Sequence, residues 1–296
     1  MQPNVAATSL SLTECLARFQ REAQQGRFFT GRYHLSYYVW GQGPPLVFIH
    51  GAADVSRSFL MTIAHLRDHF QCIAYDLPGH RGDGARLSRY RHDHLVEDLL
   101  ALVKHLQLSE AVVLGSSFGS TIALRALRQA PRQFTHGILQ GGLVYRPLKP
   151  LEWWLAWLAR WLPGPTRRLP RREKILRAVH GEPFLGRDPE WWRAYVDWTG
   201  AARIATLGHQ GRLLHQIDLR QELGRIQQPV LVIAGDRDHV APLSHAQFIQ
   251  QMLPEARLHI LHGCGHVPAY SHPEAFADAI RDFLMTTKHA KAPTPS

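Results

Sequence analysis

Short runs of consecutive apolar residues alternate along the chain with segments of helical periodicity. In residues 93–106, leucine and valine side chains recur at spacings of three and four, which predicts a helix with one apolar face. The continuous runs are typical of strands that are buried on both faces. They comprise residues 46–49, 72–75, 111–114, 137–139, 230–234 and 258–261. This alternation predicts an α/β fold in which helices flank a mostly parallel central sheet and right-handed crossovers join its strands.

Residues 32–39 follow a different pattern from the continuous runs. Tyr33, Leu35 and Tyr37 alternate with more polar positions, which is typical of a strand with one face toward solvent. The Gly-Gln-Gly-Pro-Pro sequence at 41–45 then predicts a turn. We therefore expect an edge-type strand followed by the opening of a hairpin.

The alternation of strands and helices stops between residues 143 and 228, where helix-like segments follow one another without a strand-like run. This stretch holds seven of the eight tryptophans. We call residues 143–228 the cap segment, because the pattern predicts a helical cap inserted between two parts of a core domain, 27–142 and 229–285. Residues 1–26 are predicted to form an N-terminal helical extension, and 286–296 a flexible tail.

Residues 148–162 of the cap segment carry two apolar stripes at helical spacing. The first stripe comprises Leu151, Trp154, Leu155, Leu158 and Leu162, and the second comprises Trp153, Trp157 and Trp161. One stripe can pack on the core domain, and the other then needs a pocket wall, a partner or a membrane surface. Alternatively, both stripes form the interior of the cap. If one stripe lines a pocket, Trp153, Trp154 and Trp157 are the candidate substrate contacts.

The composition is that of a soluble globular protein. Of 296 residues, 45% are hydrophobic and 20% are charged, which excludes low-hydrophobicity disorder, collagen and coiled coil. The net charge of +10 is concentrated in the cap segment, which has a surplus of seven lysines and arginines over acidic residues. No nucleic-acid recognition motif accompanies these charges, so we expect no nucleic acid partner. A peripheral contact with an anionic membrane or a solvated charge run without a partner remain as interpretations.

Cysteine usage and the N-terminus bear on the compartment. Cys15, Cys72 and Cys264 are widely spaced, which argues against a disulfide scaffold and a thiolate metal cluster. The first 25 residues lack the apolar stretch of a signal peptide. No apolar stretch reaches the length of about 18 residues that a membrane span requires. We expect a cytoplasmic protein. The alternative is a cytoplasmic protein that also contacts a membrane peripherally.

A candidate nucleophile lies directly after the run at 111–114. The sequence Gly-Ser-Ser-Phe-Gly at 115–119 leads into a helix-like stretch at 120–129, which is the strand, tight turn and helix that a Gly-x-Ser-x-Gly nucleophile elbow requires. Small residues must flank Ser117 so that strand and helix backbones can approach. The alternative is a tightly packed glycine-rich turn or a phosphate cradle at a helix N-terminus.

The run at 46–49 ends in a turn that could support the same chemistry. It is followed by His50-Gly51-Ala52-Ala53, which can direct a backbone N–H outward beside the elbow. Together with the N–H of Phe118, the N–H of Ala52 could hold a developing oxyanion. For His50 itself we expect a structural role in the turn.

Two further loops place a carboxylate and an imidazole at the same edge of the sheet. Asp236 and Asp238 follow the run at 230–234, and His266 follows the final run. Parallel strands present their C-terminal ends together, so these side chains are expected close to Ser117. Serine, aspartate and histidine thus occur in this chain order. The aspartate that does not pair with the histidine is expected to cap a turn.

Taken together, these motifs resemble those of the α/β-hydrolases, in the branch that carries a helical cap before the penultimate core strand. The resemblance extends over residues 32–284. Its motifs, in the order of the family, are His-Gly at 50–51, Asp-Leu-Pro-Gly-His at 76–80, Gly-x-Ser-x-Gly at 115–119, Gly-x-x-Asp at 235–238 and Gly-x-Gly-His at 263–266. The combination is far more specific than any one of them.

The resemblance implies a role for each matched residue. Ser117 would be the nucleophile, His266 the general base and then the general acid, and Asp238 the acid that orients His266. The family acid usually stands four residues before a proline, here Pro242, which favours Asp238 over Asp236. A serine nucleophile disfavours the dehalogenase and epoxide-opening branches.

The chain departs from the common family pattern at two positions. Ser116 precedes the nucleophile where many members carry histidine, and Arg81 follows His80 where many carry glycine. These departures do not affect the three catalytic candidates. They affect only the assignment to a subfamily.

The resulting hypothesis is a serine hydrolase that cleaves a carboxylic ester or thioester with a bulky apolar group. A carbon-carbon bond hydrolase, a lactonase or an acyltransferase could use the same three residues, and a slow-turnover ligand-binding protein could keep them. The HExxH metal motif is absent, and neither a metal nor another cofactor is expected. The expected partner is an apolar small-molecule ester.

Overall fold

The computed structural model describes residues 10–289, and within them eight strands form one sheet in the order β1-β2-β4-β3-β5-β6-β7-β8. The strands are β1 (Gln24–Phe29), β2 (His34–Trp40), β3 (Pro45–Ile49), β4 (Gln71–Tyr75), β5 (Ala111–Ser116), β6 (Phe134–Gln140), β7 (Val230–Gly235) and β8 (Ala256–Leu261). Strands β3 to β8 run parallel, and β2 is antiparallel to both β1 and β4. The predicted α/β fold with a mostly parallel sheet is confirmed.

Within the described residues, eleven α-helices connect or flank these strands. They are α1 (Leu12–Glu22), α2 (Leu60–Leu66), α3 (His92–His105), α4 (Phe118–Gln129), α5 (Pro150–Ala159), α6 (Arg172–His180), α7 (Pro189–Gly200), α8 (Ile204–Gln216), α9 (Leu243–Met252), α10 (Pro268–Ser271) and α11 (Pro273–His289). Helices α5 to α8 lie between β6 and β7, in the cap segment. Helix α11 continues to His289, so residues 286–289 are helical where a flexible tail is predicted. The rest of that predicted tail lies outside the described residues.

The core consists of two apolar layers, one on each side of the sheet. Strand β3 shows why the continuous runs are diagnostic, because its side chains point alternately into the two layers and all of residues 46–49 are buried. Leu46 and Phe48 face the layer of α1, α2 and α11, which includes Phe19 and Phe276. The opposite layer, under α3, α4 and α9, includes Leu99, Ile122 and Ile249.

The turn at 41–45 does not open a hairpin. Strand β4 lies between β2 and β3, so that Tyr37 of β2 stands opposite Tyr75 of β4 while Ile49 of β3 pairs with Tyr75 from the other side. The expectation of a hairpin was wrong because a turn sequence determines where the chain reverses and not which strand fills the gap. The connection instead carries the chain across the end of β4.

The sheet also extends further toward the N-terminus than the pattern predicts. Strand β1 begins at Gln24, inside the range predicted to be helical, and pairs with β2. Its side chains are mostly exposed, so the polar sequence around Gly26 carries little strand signal. The ring of Tyr37 lies over Gly26, where a Cβ would stand 2.3 Å from the ring. Residues 1–9 of the predicted N-terminal extension lie outside the described residues.

The cysteines and the helices bear on the predicted location. Cys15, Cys72 and Cys264 are buried and free. Burial raises the pKa of the thiols of Cys15 and Cys264 to about 12, so both stay protonated at neutral pH. Within residues 10–289, no helix combines the length and the apolar character that crossing a bilayer demands.

Candidate active site

Ser117 occupies a strained turn between β5 and α4. Its backbone lies at φ 50° and ψ −116°, a conformation that a residue with a side chain adopts only when its surroundings enforce it. Glycine is required on both sides of it. A Cβ on Gly119 would stand 2.3 Å from the carbonyl oxygen of Ile49, and a Cβ on Gly115 would stand 2.3 Å from that of Gly119. The strand and helix backbones therefore meet closely around an outward-pointing serine.

Alanine at position 119 is expected to destabilise the fold strongly, because its methyl group would collide with backbone atoms of β3 that cannot move aside. We expect Gly119→Ala to lower the free energy of unfolding by about 3 kcal/mol or more. Gly224→Ala is the matched control, because a Cβ at Gly224 meets no atom within 4 Å. Urea unfolding followed by far-UV circular dichroism measures both. Equal unfolding midpoints for the two variants would contradict the close approach.

Ser117, His266 and Asp238 form one chain of hydrogen bonds. The Oγ of Ser117 lies 2.9 Å from Nε2 of His266, and Nδ1 of His266 lies 2.7 Å from Oδ2 of Asp238. A carboxylate only accepts, so Nδ1 of His266 donates to Asp238 and Nε2 is left to accept from the serine hydroxyl. The three residues follow β5, β8 and β7, whose C-terminal ends share one edge of the sheet.

Asp238 is held as a buried carboxylate. Burial by itself raises its pKa, but the hydrogen bond and charge of His266 and the backbone amides of Ala241 and Val240 outweigh that effect, so that its pKa lies below the ordinary value. Both amides donate to Oδ1 at 2.8 Å. This leaves Oδ2 free for the imidazole, and the carboxylate is fixed in place at neutral pH.

Asp236, the other candidate for the acid, contacts the loop after β8. Its Oδ2 lies 3.0 Å from Nδ1 of His262, and its Oδ1 accepts from the backbone N–H of Gly263 at 2.8 Å. It thus bridges the loops after β7 and β8 without a hydrogen bond to His266. The geometry favours Asp238 as the partner of the imidazole.

The His50 turn lies against the elbow. Nδ1 of His50 is 2.8 Å from the carbonyl oxygen of Gly51, and Nε2 accepts from the N–H of Leu77 at 3.0 Å. Burial lowers the pKa of His50 to about 4, so the ring is neutral and holds the turn by both nitrogens. A Cβ on Gly51 would stand 3.4 Å from Cβ of Ser117, which shows how closely the turn approaches the serine.

Both predicted oxyanion donors lie close to Ser117, one in the lining of its cavity and the other next to it in the chain. Ala52 lines the cavity that contains Ser117. Phe118 is the first residue of α4, so its N–H has no partner within the helix and lies at the positive end of the helix dipole. The neighbouring Ala53 donates its N–H to Oε1 of Gln210 at 2.8 Å, which ties this turn to α8 of the cap segment.

A cavity of about 370 Å³ opens above Ser117 and His266. Its volume suits a small-molecule ligand. The cap segment contributes apolar side chains to its lining: Leu169, Pro170, Ile175, Leu176 and Leu207. Trp153, Trp154 and Trp157 are not among the lining residues, so the structure does not place the predicted pocket tryptophans at the site. Helix α5, which carries them, packs on α8, and Trp154 and Trp157 are exposed.

His180 is a site residue that the sequence did not reveal. It ends α6, lines the cavity, and its ring stacks on that of His266 at 6.1 Å between centroids. Burial, and then the charge of His266, lower the pKa of His180 to about 4. Its buried Nδ1 has no hydrogen-bond partner within residues 10–289. His180 thus adds a neutral imidazole to the cavity lining.

Asp54 is a second residue of the cavity lining that the sequence did not reveal. The pKa of its carboxyl group leads to a prediction about pH. The hydroxyl of Tyr270 donates to Asp54 Oδ1 at 2.8 Å, but burial raises the pKa of Asp54 from 3.8 to about 6. The fold therefore favours the protonated acid, and this stabilisation is present below about pH 4 and lost as the pH rises through 6. The wild type should lose up to about 3 kcal/mol of its free energy of unfolding as the pH rises from 4 through 6. We expect Asp54→Asn to abolish this loss. Urea titrations across this range compare the proteins, and parallel curves would contradict the assignment.

One cluster has the composition of a metal site. His50, Asp76 and His80 place possible ligand atoms within 4.8 Å of one another. Both ring nitrogens of His50 are already engaged with backbone groups. A metal needs a free nitrogen lone pair, so the cluster does not fit a metal as it stands.

Comparison with known proteins identifies the family of the chain. A profile described as the alpha/beta hydrolase fold matches residues 44–273. The chain belongs to the α/β-hydrolase family. The resemblance carried by the sequence motifs is thereby confirmed.

The relatives of this α/β-hydrolase include enzymes that act on esters and lactones. A pimeloyl-acyl-carrier-protein methyl ester esterase of Nitrosomonas europaea is 32% identical over 248 residues, covering 80% of this chain and 94% of that protein. The 3-oxoadipate enol-lactonase 2 of Acinetobacter baylyi is 26% identical over 249 residues, covering 83% and 91%. A crystal structure of a Pseudomonas aeruginosa hydrolase has a TM-score of 0.79 at 24% identity, covering 88% of this chain and 98% of that one. That likeness shows the fold.

The first departure of this α/β-hydrolase from the family pattern has a structural counterpart. The hydroxyl of Ser116 donates to Oε1 of Gln140 at 2.5 Å, and Nε2 of Gln140 donates to the backbone oxygen of His266 at 3.0 Å. Ser116 thus helps to hold the histidine loop against the elbow. Arg81, the second departure, is exposed, and nothing in the structure explains it.

Proposed function

We propose that this α/β-hydrolase cleaves a carboxylic ester through an acyl-enzyme on Ser117. The observation that carries the proposal is the continuous hydrogen-bond chain from Ser117 through His266 to the buried carboxylate of Asp238. In this arrangement a neutral imidazole accepts the serine proton while the carboxylate stabilises the resulting imidazolium. The strained backbone of Ser117 directs Oγ into the cavity.

The mechanism follows from these positions. Oγ of Ser117 attacks the carbonyl carbon, and its proton passes to Nε2 of His266. The N–H groups of Ala52 and Phe118 stabilise the oxyanion. When the tetrahedral intermediate collapses, the bond to the leaving alcohol breaks and the alcohol takes the proton from His266. Water then attacks the acyl-enzyme, gives a proton to the same nitrogen, and the acid leaves as Ser117 regains its proton.

The cavity indicates the kind of ester. Its apolar lining suits a hydrocarbon group, and its volume of about 370 Å³ suits a substrate of moderate size. Arg172 and His180 add polar groups to the lining. Among the described residues, Arg172 forms no ion pair; its guanidinium donates to the carbonyl oxygen of Val196 and to the hydroxyl of Thr199. An ester with an apolar acyl chain and one further polar atom fits this lining.

A lactone is the second candidate substrate. The supporting observation is the similarity to the 3-oxoadipate enol-lactonase 2 of Acinetobacter baylyi. A lactone is a cyclic ester, so the same attack by Ser117 opens it, but the leaving alkoxide stays attached to the acyl group. The chemistry of the site is unchanged, and only the shape of the substrate differs.

Hydrolysis of a series of p-nitrophenyl esters from acetate to palmitate by the purified protein tests the proposal. We expect turnover that depends on chain length, because the apolar lining discriminates among acyl groups. Proton release during incubation with a series of γ-lactones measures whether the protein also opens lactones. An active-site fluorophosphonate separates a slow enzyme from a ligand carrier, because only an activated serine is labelled. Absence of both turnover and labelling would overturn the proposal.

A further inference from the structure

Helix α5 exposes an apolar surface that the fold does not cover. None of its ten residues is buried. Trp154 is 60% exposed and Trp161, just after the helix, is 69% exposed. We call the following residues the α5 apolar face: Leu151, Trp154, Leu155, Trp157, Leu158, Trp161 and Leu162. Scattered apolar residues are common on protein surfaces, but a contiguous set of this size marks an interaction site.

The packing of α5 on α8 explains why this face points outward. The contact is made by small residues: a Cβ on Gly208 would stand 2.5 Å from the carbonyl oxygen of Ala156 and 2.9 Å from Cβ of Ala159. Such a close approach leaves no room for a tryptophan between the helices. The alternative that both predicted stripes form the interior of the cap is therefore wrong, because the whole first stripe and two of the three tryptophans of the second are exposed.

Basic residues flank helix α5 in the chain. Lys149 precedes the helix, Arg160 follows it with its guanidinium 5.7 Å from the centroid of the Trp161 ring, and Arg168 lies further along the chain. Within the part of the chain that the structure describes, none of these three cations forms an ion pair. The whole cap segment carries a surplus of seven basic residues.

We propose that the α5 apolar face docks on the surface of an anionic phospholipid bilayer. Tryptophan and leucine side chains partition into the boundary between headgroups and acyl chains, and flanking lysine and arginine side chains reach the lipid phosphates. A second copy of the chain is the less suitable occupant. In a twofold dimer the face would meet itself, so that Lys149 and Arg160 of both copies would lie around one interface and repel.

The docked face lies one helix away from the cavity. Leu207 lines the cavity, and its neighbour Gly208 contacts α5. An apolar ester dissolved in the bilayer would then lie close to the cavity; this consequence rests on the proposed hydrolase function, whereas the docking itself does not. Binding to vesicles is therefore measured without any substrate.

Flotation with vesicles tests the docking. The full-length protein is mixed with vesicles of phosphatidylcholine alone or of equimolar phosphatidylcholine and phosphatidylglycerol. We expect binding to the anionic vesicles at low salt, a weaker association at high salt because the charges are screened, and little binding to the neutral vesicles. Tryptophan emission should shift to shorter wavelength on binding, because Trp154 and Trp161 leave water.

Two matched variants distinguish binding through the α5 apolar face from non-specific binding through other exposed apolar side chains. Trp154→Gln/Leu158→Gln/Trp161→Gln removes three exposed side chains of the face, and we expect it to lower the vesicle partition coefficient by about tenfold or more. Phe29→Gln/Leu185→Gln/Met285→Gln removes three side chains that are equally exposed elsewhere, and it should bind as the wild type does. All six positions are exposed, so both variants should fold.

Three results would overturn the proposal. The first is that wild type does not bind anionic vesicles at low salt. The second is that both triple variants bind equally, since the association would then not involve the α5 apolar face. The third is a wild-type dimer in sedimentation that the α5 variant alone dissociates, together with no vesicle binding, which would assign the face to contact between copies. None of these outcomes depends on whether Ser117 turns over an ester.

Discussion

Replacing Ser117 by alanine is expected to lower kcat/KM for the best p-nitrophenyl ester by about 10⁴-fold or more. The variant lacks the hydroxyl oxygen that lies 2.9 Å from Nε2 of His266, so no covalent intermediate can form, while the cavity and the predicted oxyanion donors stay in place. Steady-state kinetics measure the loss. Intact mass after fluorophosphonate treatment should show one adduct on the wild type and none on the variant.

Ser116→Ala is the matched control for this experiment. The two serines are neighbours, but the hydroxyl of Ser116 donates to Gln140 and not to the imidazole. We expect Ser116→Ala to keep fluorophosphonate labelling and to lose less than about tenfold in kcat/KM, because it only loosens the link between the elbow and the histidine loop. Unchanged turnover in Ser117→Ala, or loss of labelling in Ser116→Ala alone, would show that the nucleophile has been misassigned.

The sequence predicted the parts of the fold that local pattern determines. Residues 46–49 announce a strand because both of their faces are buried, and a continuous apolar run is the direct consequence. The elbow is predictable for a similar reason, since glycine is the only residue that fits at 115 and 119 against the backbone. The loop positions of Asp238 and His266 follow from strand direction alone.

Features that depend on contacts between distant segments could not be predicted in this way. His180 reaches His266 only because the cap segment folds over the core, and no local pattern marks a histidine that ends α6. The pocket role of Trp153, Trp154 and Trp157 failed for the same reason. Helical spacing showed two apolar stripes, but the glycines of α8, far along the chain, decide which side of α5 turns inward.

Asparagine at position 238 is expected to lower kcat by roughly 10³- to 10⁴-fold. Its Oδ1 can still accept from the amides of Val240 and Ala241, so the loop keeps its shape. Its amide group, however, donates toward Nδ1 of His266 where the carboxylate accepts. The imidazole then carries its proton on Nε2 and cannot take one from Ser117. Kinetics at increasing pH test this account, because a deprotonated serine needs no base and part of the activity should return.

Asp236→Asn makes the same chemical change two residues away and decides between the two aspartates. Asp236 binds His262 and the amide of Gly263, so asparagine there should weaken the contact between two loops and leave kcat within a few-fold of wild type. If Asp236→Asn instead lost activity and Asp238→Asn retained it, the carboxylate that serves His266 in turnover would have to come from a rearranged loop. The observed arrangement, with Asp238 buried and 2.7 Å from the imidazole, would then not be the catalytically active one.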